Sequence, residues 1–101
     1  MSQEEIISKV KEAVKEDPIR EYVKSISLFG SFLHGNFTDK SDVDLLFEKK
    51  KAMGFFTLMK MQRVLEEKLG RKVDFIPKDS LDKYIRDEII AESKKIYDEN
   101  D

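Results

Sequence analysis

The chain has 101 residues, 19 of them Lys or Arg and 21 Asp or Glu, which gives a formal net charge of −2. It contains no cysteine and one histidine, His34, which excludes disulfide scaffolds, thiolate zinc sites, cysteine catalysis and multi-histidine metal sites. The slightly acidic balance lacks the basic surplus of most nucleic-acid-binding proteins, so direct nucleic-acid binding is not expected. No apolar run approaches the roughly 20 residues of a membrane helix, and the chain opens without a signal-peptide pattern. We therefore expect one cytoplasmic domain, residues 1–101, with no membrane partner.

The first part of the chain predicts a helix, a strand and a short helix. Residues 2–16 are expected to form the first helix, because apolar side chains recur at a spacing of about 3.6 residues. Ser2 and Glu5 fit a capping box at its start. Residues 24–29 alternate polar and apolar side chains, which is typical of a half-buried strand. Residues 31–35 then fit a short helix.

The middle of the chain predicts a second strand and a long helix. Residues 42–48 begin polar and end almost entirely apolar, as a buried strand with one end at a surface cleft would. Residues 54–69 are expected to form a helix that ends before Gly70. The side chains expected to face the core are Phe55, Leu58, Met61 (or Met59), Leu65 and Leu69.

The last part of the chain predicts a third strand over 72–76 and a final helix over 81–97. Asp79 or Ser80 is expected to cap that helix, whose apolar residues lie on more than one face. The order of elements indicates an α+β fold, a small mixed sheet with helices packed on one side.

Asp42 and Asp44 stand two residues apart at the start of the second predicted strand. Strand alternation places both side chains on one face, where two like charges are destabilising unless a cation neutralises them. A hard divalent ion with oxygen ligands, such as Mg²⁺, suits that role. The alternative is a solvated strand start after a polar turn.

Gly30 follows the first predicted strand and precedes Ser31, the start of the short helix. A glycine here lets a ligand approach the backbone closely, and the N–H groups of the following turn favour a phosphate. Ser31 adds a hydroxyl donor. The alternative is an ordinary turn. Combined with the acid pair, the turn predicts a site that transfers a phosphorus-containing group.

Asp74 is a third candidate carboxylate, in the third predicted strand between two apolar residues. An unpaired carboxylate in that setting is costly to bury. If this strand lies beside 42–48, Asp74 can join Asp42 and Asp44, and three carboxylates could hold two metal ions. The alternative is an edge-strand carboxylate that faces water.

The combined motif resembles the signature of the minimal nucleotidyltransferases, the small branch of the DNA polymerase β-like superfamily. It consists of Gly30-Ser31, Gly35, the segment Ser41-Asp42-Val43-Asp44-Leu45, and Asp74. The resemblance covers nearly the whole chain and implies a nucleotidyltransferase fold. It implies that Gly30, Ser31 and Ser41 bind the nucleotide, and that Asp42, Asp44 and Asp74 are catalytic and bind two Mg²⁺ ions. The implied reaction is transfer of AMP from ATP.

The sequence departs from this pattern at His34, a position that often carries Arg or Lys in the family. A neutral imidazole would give less charge to the phosphates near pH 7. A second basic feature, the run Lys49–Lys51, is expected to be a solvated loop.

The length of the chain leaves no room for a second domain that holds an acceptor, so we expect the acceptor to be a separate molecule. Minimal nucleotidyltransferases are commonly paired with a HEPN-domain toxin. The resemblance therefore implies an antitoxin that adenylylates a tyrosine of that toxin. Two alternatives stay open: a non-catalytic antitoxin of the same fold, and an adenylyltransferase that acts on a small molecule or an RNA end.

Overall fold

The chain forms five α-helices and four β-strands in the computed structural model, which describes all residues from Met1 to Asp101. The first half contains α1 Gln3–Ala13, α2 Ile19–Tyr22, β1 Val23–Phe29, α3 Ser31–His34 and β2 Val43–Lys49. The second half contains α4 Phe55–Leu69, β3 Val73–Pro77, a 3₁₀ turn Lys78–Ser80, α5 Lys83–Glu92 and β4 Lys94–Asp98. None of the helices has the length and apolar character needed to span a membrane.

All four strands belong to one mixed sheet in the order β3–β2–β1–β4. β1 lies between β2 and β4 and is antiparallel to both, whereas β2 and β3 are parallel. β3 and β4 are the two edges, so the chain crosses the full width of the sheet through α5. This small mixed sheet with its helices confirms the predicted α+β fold class.

The core lies between one face of the sheet and helices α1 and α4. α1 buries Ile6 and Val10, and the capping box of Ser2 and Glu5 forms as predicted at its start. α4 buries a stripe at four-residue spacing, and the strands add apolar side chains opposite it. The buried residues of α4 and the sheet in this cluster are Met61, Leu65, Leu69, Val23, Ile26, Leu28, Val43, Leu45, Phe47, Val73, Phe75 and Ile96.

The opposite face of the sheet carries the acidic residues at one end. The strand register pairs Asp44 of β2 with Phe29 of β1 and with Asp74 of β3. The neighbours of Asp44 along β2, Val43 and Leu45, both lie in the core. Because side chains alternate along a strand, both carboxylates project away from the core.

The prediction of a helix over 81–97 is wrong at both ends. Asp82 caps α5, in place of Asp79 or Ser80, and the helix stops at Glu92. Ser93 is extended, and the next residues form β4 on the free edge of β1, where Ile96 is 7% exposed. Pairing with a distant strand overrides the local helical pattern here. No residue of α5 is buried.

The core face predicted for α4 is confirmed at Met61, Leu65 and Leu69 but wrong at Phe55, whose side chain is 67% exposed. Phe55 is the first residue of the helix. At about 100° per residue it points about 120° away from Met61, outside the buried stripe.

Candidate active site

The candidate site begins at the turn between β1 and α3. Gly30 has φ 74° and ψ −153°, a conformation that is essentially restricted to glycine. Its carbonyl oxygen accepts hydrogen bonds from the N–H groups of Leu33 (3.1 Å) and His34 (3.2 Å), so the chain turns from strand to helix within one residue. Ser31 is the first residue of α3 and is partly buried, whereas His34 is exposed.

Gly30 lacks a Cβ atom, and this affects its contact with the neighbouring strand β2 as well as its backbone conformation. A Cβ atom built on Gly30 would collide with Oδ2 of Asp44. The turn and the first acid of β2 are therefore in direct contact, as the strand register of Phe29 with Asp44 requires.

Asp44 and Asp74 face each other across the parallel pair β2–β3. Burial is the largest cause that raises the pKa of Asp44 from its ordinary 3.8 to about 6. A side-chain hydrogen bond with Asp74 and the negative charge of that residue are the next largest contributions to the same shift. Asp74 itself is exposed to solvent. The pair combines a half-buried carboxyl group with an accessible one.

Asp42 lies one residue before β2, and its negative charge also contributes to the raised pKa of Asp44. No three carboxylate or imidazole side chains are gathered closely enough to hold a metal ion as they stand. The structure thus brings Asp44 and Asp74 into contact, with Asp42 within electrostatic reach. Oxygen donors that repel one another fit a hard divalent ion such as Mg²⁺.

Ser41 belongs to a tight loop that precedes these acids, residues 38–41. Its Oγ accepts a hydrogen bond from the N–H of Thr38 at 2.8 Å, and its own N–H donates to the carbonyl of Thr38 at 3.1 Å. The N–H of Lys40 donates to Oγ1 of Thr38 at 3.2 Å. The Ser41 side chain therefore shapes the loop that leads into Asp42.

Two residues that the sequence analysis missed, Gln3 and Arg71, hold this region together. Gln3 Nε2 donates to the carbonyls of Phe32 (3.2 Å) and Leu33 (2.9 Å) and so ties α1 to α3. Arg71 Nη1 donates to three carbonyls of the 38–41 loop. Sequence periodicity carries no signal for either contact, because the partners are about 30 residues apart.

The basic run Lys49–Lys51 does not form a free cationic patch. Each lysine is paired with a carboxylate: Lys49 with Asp79 at 3.0 Å, Lys50 with Glu99 at 2.7 Å, and Lys51 with Glu21 at 2.7 Å. Lys49 is the last residue of β2, and Lys50 and Lys51 follow the strand, so the expected surface loop begins one residue later than the run.

A groove of about 660 Å³ lies elsewhere, between the end of α1 and β4, and its lining includes Val14, Ile96 and Tyr97. It contains none of the candidate site residues.

The sequence model of the family described as "Polymerase beta, Nucleotidyltransferase" matches residues 8–101. The chain belongs to this family. The match confirms the resemblance that the Gly-Ser turn and the acidic strand implied, and with it the nucleotidyltransferase fold.

Two relatives of similar length are named as protein adenylyltransferases. A Methanocaldococcus jannaschii protein named as a candidate protein adenylyltransferase is 38% identical over 79 residues, which is 76% of each chain. The protein adenylyltransferase MntA of Thermococcus cleftensis is 32% identical over 70 residues, 69% of this chain and 71% of that protein.

Solved structures share the fold at low sequence identity. A toxin–antitoxin structure with AMP-PNP superposes with a TM-score of 0.77 at 20% identity and covers 91% of this chain and 73% of that one. A complex of a tri-AMPylated Shewanella oneidensis HEPN toxin with an MNT antitoxin gives a TM-score of 0.72 at 17% identity, over 97% of this chain and 74% of that one.

Proposed function

We propose that this nucleotidyltransferase transfers AMP from ATP to a tyrosine hydroxyl of a partner HEPN toxin, with Mg²⁺ as its metal, and so acts as an antitoxin. The observation that carries the proposal is the contact pair of Asp44 and Asp74 directly beside the Gly30 turn. The protein adenylyltransferase names of the relatives and the toxin–antitoxin complexes among the similar structures support the class of acceptor.

In this proposal the backbone at Gly30 and the hydroxyls of Ser31 and Ser41 bind the triphosphate. The residues that hold Mg²⁺ are Asp42, Asp44 and Asp74. A metal held by these residues would supply charge neutralisation for the phosphates and would lower the pKa of the attacking hydroxyl. Because the three carboxylates lie at one end of β2 and β3, the nucleotide and the acceptor meet there.

The chemical step exchanges one phosphorus–oxygen bond for another. The tyrosine oxygen forms a bond to the α-phosphorus of ATP, while the bond from that phosphorus to the bridging oxygen breaks and pyrophosphate leaves with the electron pair. A tyrosine hydroxyl has an ordinary pKa of about 10, so its proton needs an acceptor. We assign that role to Asp74, the accessible member of the pair.

A second candidate is a non-catalytic antitoxin of the same fold. It is favoured by one observation, that the three acids do not form a closed metal-binding cluster in the free chain. Transfer to an RNA end is disfavoured, because the run Lys49–Lys51 is neutralised by carboxylates.

The test is to incubate the chain with ATP, Mg²⁺ and the HEPN protein encoded in the same genome, and to measure the intact mass of that protein. We expect a gain of one or more AMP units that maps to tyrosine, and none with Asp42→Asn/Asp44→Asn. Asp87→Asn, an exposed acid on α5, is the matched control and should transfer normally. If the double variant still neutralises the partner as well as wild type, the protein acts by binding alone.

A further inference from the structure

Arg71 contacts two segments of the candidate site, the 38–41 loop that precedes Asp42 and helix α3 that follows Gly30. Its Nη1 donates to the carbonyl oxygens of Thr38 (3.3 Å), Asp39 (3.2 Å) and Ser41 (3.2 Å). Its guanidinium carbon lies 5.1 Å from the ring centroid of Phe32, within the range of a cation–π contact. One side chain thus joins the 38–41 loop to α3.

We infer that Arg71 is a positioning residue for nucleotide and metal binding, which sets the Gly30 turn and the three carboxylates at their relative distances. This inference rests on the proposed function, because it assigns Arg71 to the same site. Arg71 touches no reacting group itself, so its effect is transmitted through the segments that it holds.

The sequence positions of its partners support this role. Ser41, whose carbonyl it binds, is bonded directly to Asp42. Phe32 follows the Gly30-Ser31 turn. Arg71 itself is followed by Lys72, the residue before β3, whose carbonyl accepts a hydrogen bond from the N–H of Val43 at 2.9 Å. Each residue proposed to bind the nucleotide or the metal is therefore at most three residues along the chain from Arg71 or from a residue that Arg71 contacts.

The aromatic side of the contact is also fixed. Phe32 is 1% exposed and stacks on Phe37, with ring centroids 4.3 Å apart and planes inclined by 12°. Gln3 Nε2 also donates hydrogen bonds to the carbonyls of Phe32 and Leu33. Because the Phe32 ring is buried and stacked, it cannot move with Arg71. A displaced Arg71 side chain would therefore move the 38–41 loop.

The partners of Arg71 also explain why the position needs arginine. They are carbonyl oxygens and an aromatic face, and no carboxylate lies within ion-pair distance of the guanidinium. A planar guanidinium can stack on a ring and donate several hydrogen bonds at once, whereas a lysine ammonium is a compact charge without a plane. Charge alone should therefore fail to replace it.

The experiment compares Arg71→Lys and Arg71→Met with Arg63→Lys, a control at an exposed arginine of α4. Affinity for ATP is measured by calorimetry with Mn²⁺ and with chelator, well below the unfolding transition. We expect both Arg71 variants to lose about 10- to 100-fold in the metal-dependent affinity, the range for residues that position metal ligands, and the control to lose none. Wild-type affinity in a folded Arg71→Met protein would overturn the inference.

A second readout needs no ligand. Amide hydrogen exchange of the 38–41 loop should accelerate at least about tenfold in Arg71→Met, while the amides of Leu45 and Leu65 in the core keep their wild-type rates. Unchanged exchange in the loop overturns the inference whatever the binding result. If wild type itself binds no nucleotide, the proposed function fails, and the exchange result still decides whether Arg71 orders the loop.

Discussion

Gly30 leaves open the space that the Asp44 carboxylate fills. Any Cβ at residue 30 would collide with Oδ2 of Asp44, and φ of 74° is itself unfavourable for a residue with a side chain. The glycine is required here for two separate reasons, and only one of them concerns the acid pair. A pair of alanine variants can separate them.

Gly30→Ala is expected to abolish metal-dependent ATP binding, because the new methyl group displaces Asp44 from Asp74. The control is Gly70→Ala at the end of α4, where φ is 67° but nothing lies within 4 Å of the added Cβ. Gly70→Ala should lose about 1–2 kcal/mol of unfolding free energy from left-handed backbone strain. Gly30→Ala should lose more, because its φ of 74° and ψ of −153° are essentially restricted to glycine and its new methyl group collides with Asp44. Calorimetric ATP titration beside urea unfolding measures the two effects, and equal ATP affinity in both variants would contradict the role of the contact.

The raised pKa of Asp44 predicts a pH-dependent stability in the absence of metal. The pKa is about 6 in the folded chain and 3.8 is the ordinary value, so the protonated form favours folding. This contribution is complete below about pH 4 and is lost as the pH rises through about 6.

Asp44→Asn removes the charge that causes this loss. We expect the variant to unfold with a free energy about 1 kcal/mol higher than wild type at pH 7, a figure reduced for solvent screening of a half-buried group. The difference should shrink to near zero at about pH 4. Urea unfolding across this range checks it, and a difference that stays constant with pH would show that Asp44 does not titrate as the contact with Asp74 requires.

The local motifs of the site could be predicted from sequence, because each is a short run whose chemistry does not depend on distant residues. The turn at Gly30 and the acids at 42 and 44 are of this kind. β4 could not, since the segment around Ile96 becomes a strand only through pairing with β1, some 70 residues earlier in the chain. Arg71 was missed for the same reason: its hydrogen bonds span 30 to 33 residues.

The strand assignment of 94–98 can be tested by side-chain truncation. Ile96→Ala should cost about 2–4 kcal/mol of unfolding free energy, because Ile96 is 7% exposed in the core. Ile90→Ala is the matched control on α5, where the side chain is 40% exposed and the cost should stay below about 1 kcal/mol. Urea unfolding measures both, and equal losses would argue for a continuous helix in this region.

Metal binding should stabilise the chain and depend on the acid pair. A divalent ion that binds only the folded state adds about 2.7 kcal/mol at 100 times its dissociation constant. We expect Mg²⁺ or Mn²⁺ to raise the unfolding free energy of wild type, and to do so less in Asp74→Asn and not at all in Asp44→Asn. We expect the larger effect at Asp44 because its carboxylate contacts both the Gly30 turn and Asp74. A metal ion held by either pair of neighbours would therefore bind Asp44.

The same series separates a bound metal from a general salt effect. Asp87→Asn removes an exposed carboxylate on α5 and should respond to Mn²⁺ like wild type. The unfolding free energies are measured in Mn²⁺, in chelator, and in a monovalent salt of equal ionic strength, because ionic strength alone screens the repulsion between Asp44 and Asp74. Equal stabilisation by monovalent salt and by Mn²⁺ would mean that the carboxylates are merely screened, and the proposed metal site would have to be abandoned.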